Sequence, residues 1–130
     1  MKLNLLVVDD SSTMRAMIKK TLVLTGLPIG DFWEAGNGQE GLDQVGAHWV
    51  DLILVDLNMP VMGGLEMIER LRADPQTAKI PIIVVSTESS QARISEITGQ
   101  GIHFIHKPFR PEAVKEIILE YFGGNLHADE

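Results

Sequence analysis

The most constraining feature of the sequence is a set of short apolar runs, most of them followed at once by polar side chains. The run Leu52–Val55 is continuous, Leu3–Val8 is interrupted only by Asn4, Ile80–Val85 is nearly continuous, and Ile102–Ile105 contains one His. Continuous Val, Ile and Leu runs of this length are typical of strands buried on both faces, as in parallel sheets. A fifth, mixed run over Ile29–Glu34 predicts an edge strand.

Amphipathic helical patterns occupy the intervals between these runs. The clearest covers 111–122, where Pro111 can begin a helix without losing a hydrogen bond and Gly123-Gly124 ends it. Strand and helix alternate five times, which is typical of βαβ units with right-handed crossovers. We therefore expect an α/β fold, with one domain over residues 1–124 and a polar tail at 125–130.

Two helical segments are weaker. Segment 37–47 contains three glycines, each of which costs about 1 kcal/mol relative to Ala in a helix interior. Segment 89–99 has Ile94 and Ile97 as its only large apolar anchors, so this helix is expected to be lightly held.

Composition excludes several classes of function. The net charge of −7 argues against non-specific nucleic-acid binding, which needs a basic surface. The absence of Cys excludes disulfides, thiolate metal sites and cysteine nucleophiles. Neither a signal peptide nor an apolar run near the roughly 18 residues of a membrane span is evident. These features predict a cytoplasmic protein without membrane insertion.

Polar side chains that could bind a ligand or take part in a reaction follow four of the predicted strands. Asp9 and Asp10 follow the first, Asp56 the third, Ser86 the fourth and Lys107 the last. In an open parallel sheet, ligands bind at the edge formed by the carboxyl ends of the strands. Each residue alone has an ordinary explanation, since Asp and Ser often cap helices or begin turns. Their joint occurrence instead predicts one polar crevice.

This set of residues suits phosphoryl chemistry. Clustered carboxylates provide the oxygen ligands that Mg²⁺ prefers, and a Lys with a hydroxyl can hold phosphoryl oxygens. With Mg²⁺ and Lys107 keeping it ionised, Asp56 could act as a nucleophile and form an acyl phosphate. Two residues on, Asn58 cannot act as a carboxylic acid. No general base for hydrolysis is evident, so the acyl phosphate is expected to persist.

Four segments closely resemble the signatures of response-regulator receiver domains. They are Leu5–Arg15 (LLVVDDSSTMR), Asp56–Gly64 (DLNMPVMGG), Val85–Thr87 (VST) and Lys107–Phe109 (KPF). The resemblance covers roughly residues 3–122 and is closest to the CheY-like chemotaxis subfamily. It implies a flavodoxin-like, doubly wound, five-stranded parallel sheet of order 2-1-3-4-5 with five helices.

The resemblance also implies roles at the metal site. Asp56 would be the phosphoacceptor and would bind Mg²⁺ together with Asp10 and the backbone carbonyl of Asn58. Asp9 would act through a metal-bound water. A histidine kinase would be the phosphoryl donor.

Further implied roles concern switching. Lys107 and Ser86 would contact the phosphoryl oxygens, and Phe104 stands where the family has a rotating aromatic side chain. Asn58 and Glu88 stand where relatives tune the lifetime of the phosphoryl group. The domain would be a signalling module rather than an enzyme, and a downstream protein, with the flagellar motor switch as one candidate, would receive its output.

A partner surface is predicted on 89–99, 102–106 and 111–122. Arg93, His106 and Lys115 would form a modest basic cluster there, suited to an acidic amphipathic peptide.

Three alternatives remain open at this point. A flavin-binding domain of the same fold would need a phosphate-cradling loop where Asp9-Asp10 stands. A phosphatase with an Asp nucleophile would need an acid in place of Asn58. A receiver that binds partners without being phosphorylated would not need the complete Asp, Ser and Lys set.

Two smaller expectations concern the surroundings. Gly63 stands where the family often has Asp or Asn, which predicts a looser turn after Asp56. Trp33 and Trp49 are expected to be partly buried anchors.

Overall fold

A computed structural model describes residues 2–123 and 126, so Gly124 and most of the predicted tail at 125–130 lie outside the described residues. Strands and helices alternate as the sequence predicts. Their bounds are β1 Leu3–Val8, α1 Ser12–Leu24, β2 Ile29–Ala35, α2 Gly38–Ala47, β3 Leu52–Val55, α3 Gly64–Ala73, β4 Ile82–Ser86, α4 Gln91–Thr98, β5 His103–His106 and α5 Pro111–Phe122. Among the described residues, no helix has both the length and the apolar character needed to cross a membrane.

The five strands form one parallel sheet of order β2-β1-β3-β4-β5, which confirms the predicted topology. Side chains alternate across the sheet, so that in β1 Leu6 and Val8 enter one core cluster while Leu5 and Val7 enter the other. Helices α2, α3 and α4 cover the first cluster, and α1 with α5 covers the second. Central strands are thus buried on both faces, which explains why their sequences are continuously apolar.

Several predicted boundaries were wrong by one or two residues. Strand β4 begins at Ile82 rather than Ile80, because the Ile80 amide donates to the Thr77 carbonyl in the preceding turn and Pro81 has no N–H. Strand β5 is displaced by one residue, to His103–His106. Helix α4 is shorter than segment 89–99, because Ser90 caps its start by accepting a hydrogen bond from the Arg93 amide.

Helix α2 forms despite its glycines, and two of them allow close packing. A Cβ at Gly38 would lie 2.7 Å from Cγ of Met62, and one at Gly41 would lie 2.8 Å from Cε of Met67. Both methionines are buried, so α2 approaches the β3–α3 loop and α3 more closely than an alanine would allow. A Cβ at Gly46 would meet no atom within 4 Å, so glycine costs helix propensity at this position without allowing closer packing.

The prediction for Trp49 was wrong. Its side chain is 76% exposed, and its indole N–H donates to Asp51 at 2.9 Å. Trp49 lines a groove of about 650 Å³ at the edge of the sheet where β3 and β4 begin. Trp33 is half-buried as expected, and its ring stacks on His48 with the centroids 3.7 Å apart. The apolar character of a tryptophan does not indicate whether its side chain, in a loop, faces the core or the solvent.

Candidate functional site

Three carboxylates meet where β1 and β3 end. Val8 pairs with Val55 in the parallel register, so Asp9 and Asp56 leave the sheet side by side, with the Asp56 amide donating to the Val8 carbonyl at 3.0 Å. Asp9, Asp10 and Asp56 each offer an oxygen, and these oxygens all lie within 4.8 Å of one another. The convergence predicted from the sequence is therefore present in the fold.

Lys107 closes the crevice from the far side. Its amide donates to the Ser86 carbonyl at 3.0 Å, which fixes the start of the β5–α5 loop beside β4. The ammonium Nζ lies 2.7 Å from Oδ2 of Asp9 and 3.5 Å from Oδ2 of Asp56. Because both pairs are largely buried, their attraction is screened much less than that of surface ion pairs.

Asp9 and Asp10 have different environments. Asp9 is 2% exposed, and its Oδ1 accepts a hydrogen bond from the Ser11 amide while its Oδ2 accepts one from Lys107. Asp10 is exposed. Helix α1 is capped by Ser11, whose hydroxyl accepts from the Met14 amide, so the alternative in which the Asp pair serves as the cap is wrong.

The surroundings of Asp56 disfavour the ionised form of its carboxyl. Burial raises the pKa of its carboxyl above 3.8, and the neighbouring charge of Asp9 raises it further. Lys107 and a hydrogen bond from the Leu57 amide lower the pKa, but the effect of burial is larger. The net result is a pKa above the usual value of an Asp carboxyl, so a bound cation beside Asp56 would favour its ionised form.

Ser86 is the last residue of β4 and is fully buried. Its hydroxyl accepts a hydrogen bond from the Glu88 amide at 3.1 Å. The Glu88 carboxylate is directed to the start of α4, where it accepts from the Ser89 and Ser90 amides and lies 3.3 Å from Nε of Arg93. Glu88 therefore supports the β4–α4 loop in this structure.

Two further predicted residues lie at the periphery of this arrangement. Asn58 is exposed two residues beyond Asp56. Phe104 is half-buried on β5 beside Val84, with its ring 4.9 Å from that of His106.

Comparison with known proteins identifies the family. The response regulator receiver domain family matches residues 5–119, which is most of the chain. The chain belongs to this family. The family match, together with the acid and lysine crevice, leaves the flavin-binding and phosphatase alternatives without support.

Three relatives of this receiver are named as chemotaxis proteins. It is 40% identical over 125 residues to chemotaxis protein CheY1 of Helicobacter pylori, covering 95% of this chain and 99% of the relative. It is 41% identical over 123 residues to the chemotaxis protein CheY homolog of Campylobacter jejuni, covering 93% of each. The structure of chemotaxis protein CheY4 of Vibrio cholerae superimposes with a TM-score of 0.79 at 31% identity, covering 92% of this chain and 98% of that one.

The loop after Asp56 contains two residues whose importance sequence reasoning missed. A Cβ at Gly64 would collide with the Asp56 carbonyl, and the Gly64 amide donates to the Leu57 carbonyl at 3.0 Å, so the receiver needs glycine there. Gly63 precedes α3 without any side-chain cap, and the looser turn stays a prediction. Val61 has φ of 66°, which is unusual for a β-branched residue. The Gly-Gly pair was a visible signal for Gly64, whereas nothing in the sequence marks Val61.

Proposed function

We propose that residues 1–124 form a single receiver domain that accepts a phosphoryl group on Asp56 from a histidine kinase, in a Mg²⁺-dependent reaction, and that acts in chemotaxis signalling. The observation that carries the first part is the meeting of three carboxylates with Lys107 at one end of the sheet. Full-length similarity to relatives named as chemotaxis proteins supports the second part.

The carboxylate cluster fits a hard divalent cation. All three acidic side chains offer oxygen atoms within 4.8 Å of one another, and Mg²⁺ favours oxygen ligands. The raised pKa of Asp56 indicates that the crevice favours less negative charge than three ionised carboxylates carry. Asp10, Asp56 and the Asn58 carbonyl would hold Mg²⁺, with Asp9 acting through a water. When bound, the cation offsets carboxylate charge and binds phosphoryl oxygens.

The transfer itself requires little covalent chemistry from other residues. A carboxylate oxygen of Asp56 forms the new O–P bond while the P–N bond to the donor histidine breaks, and the electron pair stays on the imidazole nitrogen. Lys107 and Ser86 donate hydrogen bonds to the phosphoryl oxygens. Ser86 can do so because its hydroxyl accepts from the Glu88 amide, which leaves its proton available.

The product is an acyl phosphate that persists. Asn58 supplies no carboxylic acid, and the Glu88 carboxylate is engaged with Arg93 and the start of α4. The resemblance places Asn58 and Glu88 at positions that tune the lifetime in relatives, and we expect the same role here. The domain assists its own phosphorylation and dephosphorylation, and it acts as a switch rather than as an enzyme.

Switching links the phosphoryl group to an output face formed by α4, β5 and α5. Movement of Ser86 toward Asp56 breaks its bond with the Glu88 amide and opens space that Phe104 can fill. His106 and Lys115 are exposed on this face, whereas Arg93 is half-buried and paired with Glu88. All three basic side chains of this face are available to an acidic amphipathic peptide only when Arg93 is released from Glu88. The flagellar motor switch is one candidate target.

Intact-mass measurement after incubation with acetyl phosphate and Mg²⁺ tests the chemistry. The wild-type protein should gain the mass of one phosphoryl group, Asp56→Asn should gain none, and Asp43→Asn, an exposed acid on α2, should behave as the wild type. A wild type that gains no mass would favour a receiver that works without phosphorylation. An Asp56→Asn protein that gains the full mass would refute the assignment.

A further inference from the structure

Arg15 on α1 joins the acidic loop to the neighbouring strand. Its Nη1 donates to the backbone carbonyl of Asp9 at 2.6 Å, and its Nε donates to the Glu34 carboxylate at 3.0 Å. The Arg15 side chain is mostly buried, whereas that of Glu34 is about half exposed. The planar guanidinium donates to these two acceptors from two separate nitrogens, whereas a lysine would have to serve both from one.

The carbonyl that Arg15 holds belongs to the peptide between Asp9 and Asp10. That peptide is planar, so fixing its oxygen also restricts the position of the Asp10 Cα. Within the described part of the chain, no hydrogen bond or ion pair holds the Asp10 carboxylate itself. The position of Asp10 therefore depends on its backbone, which Arg15 anchors from one side and the Asp9 amide, bonded to the Ala35 carbonyl, anchors from the other.

We propose that Arg15 is a positioning residue for the metal site, which holds the Asp9–Asp10 peptide so that the Asp10 carboxylate stands beside Asp56. This inference rests on the proposed function, because it concerns the Mg²⁺ site named there. In this role Arg15 would supply no ligand to the cation and would act through the backbone carbonyl of Asp9.

The positive charge of Arg15 and its support of the backbone are expected to change the Mg²⁺ affinity in opposite directions. As a cation near the carboxylates, Arg15 would weaken Mg²⁺ binding, and its removal would tighten binding. As a support for a ligand-bearing peptide, it strengthens binding, and the loss of such outer supports costs about 10–100-fold in metal affinity. Because Glu34 partly neutralises Arg15, we expect the positional effect to be larger.

Calorimetric titration of the unphosphorylated protein with MgCl₂ separates these effects. Arg15→Gln should raise the Mg²⁺ dissociation constant about tenfold. Arg15→Lys, which keeps the charge and loses the fork, should raise it to a smaller extent. Arg70→Gln is the matched control, since Arg70 is also paired with a glutamate but lies on α3 with no contact to the acidic cluster, and its affinity should equal that of the wild type.

A second readout distinguishes positioning from general damage to the fold. In the intact-mass assay, Arg15→Gln should need more Mg²⁺ for half-maximal phosphorylation yet approach the wild-type rate at saturating Mg²⁺. Urea melts in EDTA identify any loss of fold, in which case the milder Arg15→Lys variant carries the test. If the Mg²⁺ dissociation constant of Arg15→Gln is unchanged or lower than that of the wild type, the positioning role alone is overturned. A wild-type protein that binds no Mg²⁺ would overturn the metal site and this inference together.

Discussion

Val61 provides a direct test of stored backbone strain beside the site. Its φ of 66° occurs together with a hydrogen bond from the Met62 amide to the Pro60 carbonyl at 2.7 Å. A bond between residues two apart across a positive φ defines the rarer, strained form of the γ-turn. The Val61 side chain is 84% exposed, so little packing compensates for the strain. We expect Val61→Gly to stabilise the domain.

The size of the effect follows from two opposing quantities. A positive φ costs an L-residue about 1–2 kcal/mol, and glycine does not pay this cost. Glycine in turn loses about 0.5–1 kcal/mol through the greater entropy of the unfolded chain. The expected net gain for Val61→Gly is therefore about 0.5–1 kcal/mol, which corresponds to a rise in melting temperature of about 2–4 °C.

Urea unfolding in EDTA at neutral pH measures this gain. Val61→Ala is the matched control, because it removes the branched side chain but keeps the Cβ that makes positive φ costly. We expect Val61→Ala to differ from the wild type by less than about 0.5 kcal/mol, as for most exposed substitutions. If Val61→Gly proves no more stable than Val61→Ala, the turn is not strained and the reasoning fails.

Three further predictions concern helix α2 and two titrating groups. Gly46→Ala should stabilise the domain by up to about 1 kcal/mol, whereas Gly41→Ala should destabilise it by crowding Met67, and equal urea midpoints would contradict the packing described. In EDTA, the raised pKa of Asp56 means that its stabilising contribution is present below pH 3.8 and is lost as pH rises through the folded-state value. Asp56→Asn should therefore gain stability over the wild type as pH rises, and a constant difference in urea melts would refute this. Burial also raises the pKa of Tyr121, the only tyrosine, so phenolate absorbance in the folded protein should appear at higher pH than in the urea-unfolded chain, and coincident titrations would exclude this.

The strand assignments show which local patterns are informative. A strand covered by helices on both faces is apolar at nearly every position, so the run at Leu52–Val55, and that at Leu3–Val8 with Asn4 as its one polar residue, could be recognised as strands. The run beginning at Ile80 was misread at its start, because an apolar residue in a turn looks the same as one in a strand. Burial of Trp49 was predicted wrongly for a similar reason, since composition does not report the direction of a side chain.

The sequence by itself determined the alternation of strands and helices and the meeting of Asp9, Asp56 and Lys107, because parallel strands bring their carboxyl ends to one edge whatever the packing details. Only the tertiary structure decided which groups pair within that crevice. The pairing of Arg15 with Glu34, like the close contacts of α2, depends on distances between groups from separate elements. Those distances are set by strand register and by helix packing, which are properties of the whole fold and leave no local pattern in the chain.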